Sequence, residues 1–367
     1  MKIERVDLLH VKMKLVHPFE TSYGRKDHLD HVLVKLYADG LVGYGEAAVQ
    51  WWPFYCEETT VTCLHVLQEF VVPSILHQEF TTVEELVQAY GKVRRHNFAK
   101  SGVEMAFWHL LSQAYNQPLA QLLGGTRAEI ESGVSIGIEP DTDYLIKRIQ
   151  GFLAQGYRRI KLKIGPGKDV EVLRKVRQAF PTIPLMADAN SAYTLRDLEH
   201  LQQLDAFDLL MIEQPLAHDD IIDHATLQRA LTSPICLDES IHSAEDARKA
   251  LDLGSCRVIN IKPGRVGGLL EAKKIHDLCQ ARGVPVWCGG MHEYGIGRAH
   301  NIALSALPNF SIPGDISGSD KYYAEDLIDP VVTVEHGKIR VPQTIGLGYT
   351  PNEERIARFT VQQLTFT

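Results

Sequence analysis

No stretch of the chain approaches the ~18 uninterrupted apolar residues of a bilayer-spanning helix. The opening MKIERVDLLHVKMKL alternates polar and apolar residues and lacks the continuous apolar block of a secretory signal. A soluble, unprocessed chain is expected. A basic excess is also missing: 38 Lys and Arg against 46 Asp and Glu leave a formal charge of −8, which argues against a general nucleic-acid or anionic-membrane binder. Six cysteines (Cys56, Cys63, Cys236, Cys256, Cys279, Cys288) include no CxxC pair and no zinc-type spacing. Neither a disulfide framework nor a structural zinc is expected, and a reducing cytoplasm suits such usage. Cys288 reads as a packed thiol, since no activating pattern surrounds it.

What is present suffices for a sizeable core: 367 residues, 45% of them hydrophobic. Residues 2–16 and 31–46 read as strands, the latter turning at Asp39-Gly40, and helices are expected over 57–76, 82–96 and 99–116. This front third is α+β. The polar HPFETSYGRKDHLDH between its strands is expected to be an irregular, mobile loop. From about residue 130, short apolar strands alternate with helical segments: SGVSIGI, RRIKLKIG, IPLMADAN, LLMIEQP, PICLDES, RVINIKPG, VPVWCGGM and NFSIPGD. Eight such units predict a closed parallel barrel. An open doubly wound sheet is the alternative, but no GxGxxG follows the first of these strands, so its nucleotide-binding form lacks a signature.

Charged residues keep step with these units. Lys163, Asp188, Glu213, Asp238 and Lys262 stand near successive strand ends, 25, 25, 25 and 24 residues apart. Strand parity places Lys161 on the face of Lys163, and Asn190 on that of Asp188. Inward-facing residues at the C-terminal rim are where such barrels keep their chemistry. Three converging carboxylates repel one another unless a cation joins them. An all-oxygen donor set favours Mg²⁺, with Mn²⁺ as a possible substitute, over zinc. A dication on a substrate carboxylate stabilises the enediolate left when the adjacent carbon loses its proton. Lys161 and the metal both disfavour a further positive charge on Lys163, which readies it as a base. Single strand-end acids or a lone KxK are ordinarily solvated or capping groups; five in register are not.

KLKIGPGKD, MADANSAYTL, MIEQPL, CLDES, INIKPGRVGG and WCGGM followed by GIGRAHN, with PFETSYG and HNFAKSGVEMAFWHL in the front part, resemble the enolase superfamily. The likeness is to its branch of o-succinylbenzoate synthases and N-acylamino acid racemases, over nearly the whole chain. It implies a modified (β/α)7β barrel at 126–320 under an α+β capping domain at 1–125, with 321–367 returning to the cap. It also implies metal ligands Asp188, Glu213 and Asp238, and acid/base lysines Lys163 and Lys262. Ser135, Lys161, Asn190, Gly290 and Met291 are expected to contact substrate. Phe19 to Tyr23, with Tyr55, are expected to close over it and exclude water. Arg265 and Glu239 are expected behind these, tuning Lys262 or pairing with a neighbouring carboxylate.

The implied reaction is dehydration of a cyclohexadiene carboxylate in menaquinone synthesis. N-succinylamino acid racemisation, with the two lysines on opposite faces, is the close alternative, and both activities in one site are compatible. A non-catalytic barrel scaffold is the distant one. Dipeptide epimerases usually carry DxD at the eighth strand, where this chain has Asp315 and Ser317. It departs from the branch at His292 and Tyr294, after GGM; His292 is open to proton transfer, to shaping the pocket, or to a plain loop role. The expected partner is a small carboxylate, with no nucleic acid or membrane, in a symmetric homo-oligomer.

Overall fold

A computed structural model describes residues 1–21 and 24–367. Its front part is a four-stranded antiparallel sheet of β1 (Ile3–Thr21), β2 (Gly24–Ala38), β3 (Leu41–Ala47) and the last strand of the chain, β15 (Thr360–Phe366), in the order β15-β1-β2-β3. Side chains two apart share a face, so one sequence serves two cores. Val6, Leu8, Val32, Val34 and Leu36 pack with the front helices. Leu9, Val11, Met13, Leu29 and Leu33 pack into the barrel core. The expected turn is found: Asp39 and Gly40 both have positive φ, 52° and 77°, the combination that joins strands of natural twist. On β3, Gly45 lets the helix Asn97–Ala114 approach so closely that a Cβ there would lie 2.0 Å from the Gly102 carbonyl oxygen.

Two expectations in this part are corrected. The described residues of the polar segment, 17–21 and 24–31, are not an irregular loop: they belong to β1 and β2, pairing Phe19 with Lys26, Glu20 with Arg25 and Thr21 with Gly24. The ladder shifts between Lys14 and Phe19, where Pro18 has no N–H to donate, and that bulge disguises the strand in the sequence. Ser22 and Tyr23, expected over the substrate, lie outside the described residues. The helix expected over 82–96 is Val83–Ala89. It ends before a turn that contains Gly91, a poor helix former, and the chain then bends again through Arg95 and His96, both at positive φ.

Behind the front sheet come β4 (Glu129–Glu131) and seven parallel strands: β5 (Val134–Ile136), β6 (Ile160–Lys163), β7 (Leu185–Asp188), β8 (Ile212–Glu213), β9 (Ile235–Leu237), β10 (Val258–Ile261) and β11 (Val286–Cys288). Each is paired with its sequence neighbour, helices intervening. The eighth unit is not a strand of the ladder. Residues 309–315, interrupted by Pro313, instead make single parallel bridges to both edges, Phe310 to Val286 and Gly314 to Ser132. Those contacts tie the edges of the curled sheet together. Met186, Met211, Cys236, Val258 and Trp287 form a separate apolar cluster inside it. Three of these stand two residues before Asp188, Glu213 and Asp238, so the apolar floor and the acidic layer above it share one face.

After the barrel, β12 (Ile328–Asp329) pairs with β14 (Thr350–Pro351), and β13 (Lys338–Arg340) returns to β4. The final β15 adds to β1, with Val6 opposite Phe366 and Leu8 opposite Leu364. Among the described residues no helix is long and apolar enough to cross a membrane.

Candidate active site

The strands bring the five charged residues together at one end of the sheet. Lys163 and Asp188 are level partners across β6 and β7, as are Asp188 and Glu213 across β7 and β8. Lys163 Nζ donates to Asp188 Oδ2 and to Asn190 Oδ1, both at 2.6 Å. On the far side Lys262 Nζ lies 2.6 Å from Asp238 Oδ2 and donates to the Tyr55 hydroxyl at 3.1 Å. Tyr55 in turn donates to Asp238 Oδ1 at 3.0 Å, so a side chain from the front part is bound to the barrel strand end.

Lys161 explains the paired lysines of RIKLKIG. Its Nζ lies 2.6 Å from Asp315, 3.1 Å from Glu213 and 3.3 Å from Asp188, and 4.7 Å from the ring centre of Trp287. Burial disfavours its charge, but the three carboxylates outweigh that and hold the amine above its ordinary value. Lys161 is therefore a fixed cation, unsuited to accepting a proton. Lys262 is likewise driven well upward, with Asp238, Tyr55 and Glu239 overcoming burial. Arg265, fully buried, binds Asp238 through its guanidinium and the Ile241 carbonyl oxygen at 2.6 Å, so it stands behind Asp238.

The carboxylates sense one another. Burial and then Asp188 push the Glu213 carboxyl well above its ordinary value, whereas Lys163 and Lys161 overcome burial and keep Asp188 below its own. Glu239, whose Oε1 accepts from Asn190 Nδ2 at 2.9 Å, is pushed up to about 7 by burial and Asp238. Its Oε2 is buried without a hydrogen-bond partner among the described residues. As the side chains are placed, no three His, Cys, Asp or Glu among the described residues are grouped to hold a metal ion. Asp188, Glu213 and Asp238 each face an ammonium or guanidinium instead, and one cation, Lys161, already bridges Asp188 and Glu213. An all-oxygen set of three carboxylates from consecutive strands, with Glu213 crowded and Glu239 Oε2 unpartnered, fits a hard dication by its chemistry.

Above this layer lies a pocket that collects the residues expected at the substrate: Phe19, Tyr55, Ser135, Lys161, Asn190, Gly290, Met291 and His292, together with Lys163 and Lys262. Ser135 Oγ is bound to Asp315 at 2.8 Å. His292, at φ 63°, stands with its ring centre 4.5 Å from Phe19 and 5.0 Å from Tyr322. Burial and the neighbouring lysines Lys26, Lys321 and Lys163 hold it well below its ordinary value, so the ring is neutral. Tyr294 is not in this lining. Its hydroxyl donates to the Val11 and Leu29 carbonyl oxygens, both at 2.9 Å, and pins the β1–β2 hairpin to the barrel. Cys288 is a buried thiol pushed up to about 12 by burial, which agrees with a packing role.

The sequence reading missed Lys26, Gln50 and Tyr322 in the lining, and Arg159, which binds Asp315 at 2.6 Å. Arg159 could have been found, since it shares strand parity with Lys161 and Lys163. Lys26 and Tyr322 carry no such signal; they reach the pocket from elements more than 100 residues from either catalytic-lysine candidate or from the irregular chain after the barrel.

A curled parallel sheet with its charged residues at one rim, under a separate sheet that contributes Phe19 and the loop after it that contributes Tyr55, defines a barrel enzyme with a capping domain. Two family models cover most of the chain: the mandelate racemase / muconate lactonizing enzyme N-terminal domain over residues 3–124, and the enolase C-terminal domain-like family over 145–355. The chain belongs to the enolase superfamily. It is similar to an o-succinylbenzoate synthase of Geobacillus kaustophilus, 55% identical over 98% of this chain and 96% of the relative. An N-succinylamino acid racemase of Thermus thermophilus is 44% identical over 99% of this chain and 98% of its own length. The crystal structure of an enolase-superfamily member from Listeria innocua superposes with a TM-score of 0.96 at 39% identity, covering 100% of this chain and 99% of that one.

Proposed function

We propose that the chain is an o-succinylbenzoate synthase, a lyase that dehydrates 2-succinyl-6-hydroxy-2,4-cyclohexadiene-1-carboxylate to o-succinylbenzoate on the route to menaquinone. The observation that carries this reading is the convergence of Lys163 and Lys262 on one buried pocket from opposite sides of an acidic layer. Lys163, oriented by Asp188 and Asn190, takes the proton from the carbon bearing the carboxylate and returns it to the departing hydroxyl. Lys262 stays an ammonium and opposes the negative charge that develops on the substrate. Lys161 and Ser135 orient the substrate oxygens, and Phe19, Tyr55, Met291 and His292 shape the wall that excludes water.

Enzymes of this superfamily use a divalent metal, and Asp188, Glu213 and Asp238 would hold it here. Bound there, Mg²⁺ would supply charge stabilisation to the carboxylate oxygens of the substrate. We divide the chain as cap 1–125, barrel 126–320 and returning segment 321–367, and place the protein in the cytoplasm as a homo-oligomer acting on a small carboxylate.

N-succinylamino acid racemisation is favoured as a second activity by one observation: both amines face the same pocket, as a two-base exchange needs. The test is side-by-side turnover with Mg²⁺ of the cyclohexadiene and of N-succinyl amino acids in D₂O. Dehydration of the first is expected, with α-proton exchange in the second. Inertness toward both leaves the site without the proposed chemistry.

A further inference from the structure

The charges lining the pocket are four lysines, Lys26, Lys161, Lys163 and Lys262, and one carboxylate, Asp315. Three of the lysines are matched from within: Lys161 by Asp315, Lys163 by Asp188 and Lys262 by Asp238, each at 2.6 Å. Asp315 is shared further with Arg159 at the same distance. Lys26 is the exception. It enters from β2, opposite Phe19 of β1, with only 8% of its surface exposed. Among the described residues its ammonium takes part in no ion pair or hydrogen bond; its approach to the Phe19 ring centre is 6.0 Å.

A buried ammonium without a counter-charge is costly. Burial first, and then Lys163 and Lys262, push its amine down to about 7, with only Glu293 acting in the opposite sense. A methionine of similar length would line the same wall without that cost, so packing alone gives no reason for an amine. The reacting carboxylate of a substrate belongs at the barrel end, beside Lys161 and the acidic layer. Lys26 faces the pocket from the cap, where a substrate that fills the site brings its far end.

We propose that Lys26 is the seat for a second anionic group of the substrate, a carboxylate at the end of its acyl chain, and makes the pocket selective for dicarboxylates. This rests on the proposed function, whose cyclohexadiene and N-succinyl substrates both carry such a group. The pocket then becomes charge-matched only when both carboxylates are in place.

The test compares o-succinylbenzoate with the analogue in which the chain-end carboxylate is an amide, by calorimetric binding to the Mg²⁺-loaded enzyme and to Lys26→Met and Lys26→Arg. The unaltered enzyme should bind the diacid about 10- to 100-fold more tightly than the amide, the range of one charge-assisted hydrogen bond. In Lys26→Met that preference should fall to less than about threefold through weaker diacid binding. Lys26→Arg should keep most of it. Equal binding of the two ligands by the unaltered enzyme overturns the proposal without needing any variant. So does a preference that survives intact in Lys26→Met. An unaltered enzyme that neither dehydrates the cyclohexadiene nor binds o-succinylbenzoate sinks the functional reading itself, whereas one that dehydrates it without discriminating diacid from amide sinks only the role of Lys26.

Discussion

At the scale of single residues, the site separates amines that look alike in the sequence. Lys161 and Lys163 are two apart on one strand face, yet Lys161 is enclosed by Asp315, Glu213 and Asp188 while Lys163 reaches Asp188 and the amide of Asn190. Only the second is placed to exchange a proton with substrate. Replacing Lys163 with Ala is accordingly expected to lower kcat by at least about 10³-fold for dehydration and exchange alike, a loss typical of a positioned acid/base. Lys262→Arg should separate the two activities. Its guanidinium keeps the positive charge beside Asp238 but cannot give up a proton near neutral pH. Two-base racemisation should drop below about 1% of its starting rate while dehydration keeps more than about 10%, read from steady-state kinetics on both substrates. Equal losses in the two reactions would assign Lys262 the same job in each. The five-residue charge register was legible because strand parity and a unit length of about 25 residues are both sequence properties. The partners that distinguish Lys161 from Lys163 were not, because Asp315 arrives from the end of the barrel and Glu213 from two strands away.

At the scale of elements, buried polar contacts join the front helices to the barrel. Glu104, on the helix Asn97–Ala114, accepts the backbone N–H of Leu269 and Leu270 at 2.8 and 2.7 Å, the first turn of the helix Leu269–Ala281, and that of the Trp108 ring at 2.8 Å. Burial raises its carboxyl to about 7 against the lowering pull of those donors. In the unfolded chain the same group titrates near its ordinary 4.5. Between those values the folded protein holds a proton that the unfolded chain has lost. This group's contribution is therefore complete below about 4.5 and drains away as pH rises through about 7, by on the order of 3 kcal/mol. Glu104→Gln cannot titrate. Urea melts at pH 5 and pH 8 should show a smaller loss of stability across that interval in the variant than in the parent, and equal losses would show that Glu104 is ionised throughout. Close backbone approach is the other device at this scale. Gly45→Ala should destabilise by about 1–3 kcal/mol, measured by denaturant unfolding, because the new methyl meets the Gly102 carbonyl of a helix that cannot retreat. Strands and helices of regular period were legible in advance. The far ends of β1 and β2 and the eighth unit were not, since their pairing depends on a bulge and on single bridges to distant edges.

At the scale of the whole molecule, the two ends of the chain meet. β15 completes the front sheet against β1, whose continuation carries Phe19 to the pocket while its partner β2 carries Lys26. Removing residues 360–367 should strip β1 of its outer neighbour, lower Tm by roughly 5–10 °C and expose an edge prone to self-association. Light scattering and calorimetry would show both effects, and an unchanged Tm would mean that β1 needs no outer partner. That the chain folds back on itself was legible only as extended character near the end, because strand partners so far apart leave no local pattern. The hairpin also has a practical consequence. Because the amines proposed to handle the proton sit at barrel strand ends and the proposed acyl-end contact sits on a ribbon anchored by Tyr294, mutant libraries confined to that ribbon offer a route to new appetites without rebuilding the engine.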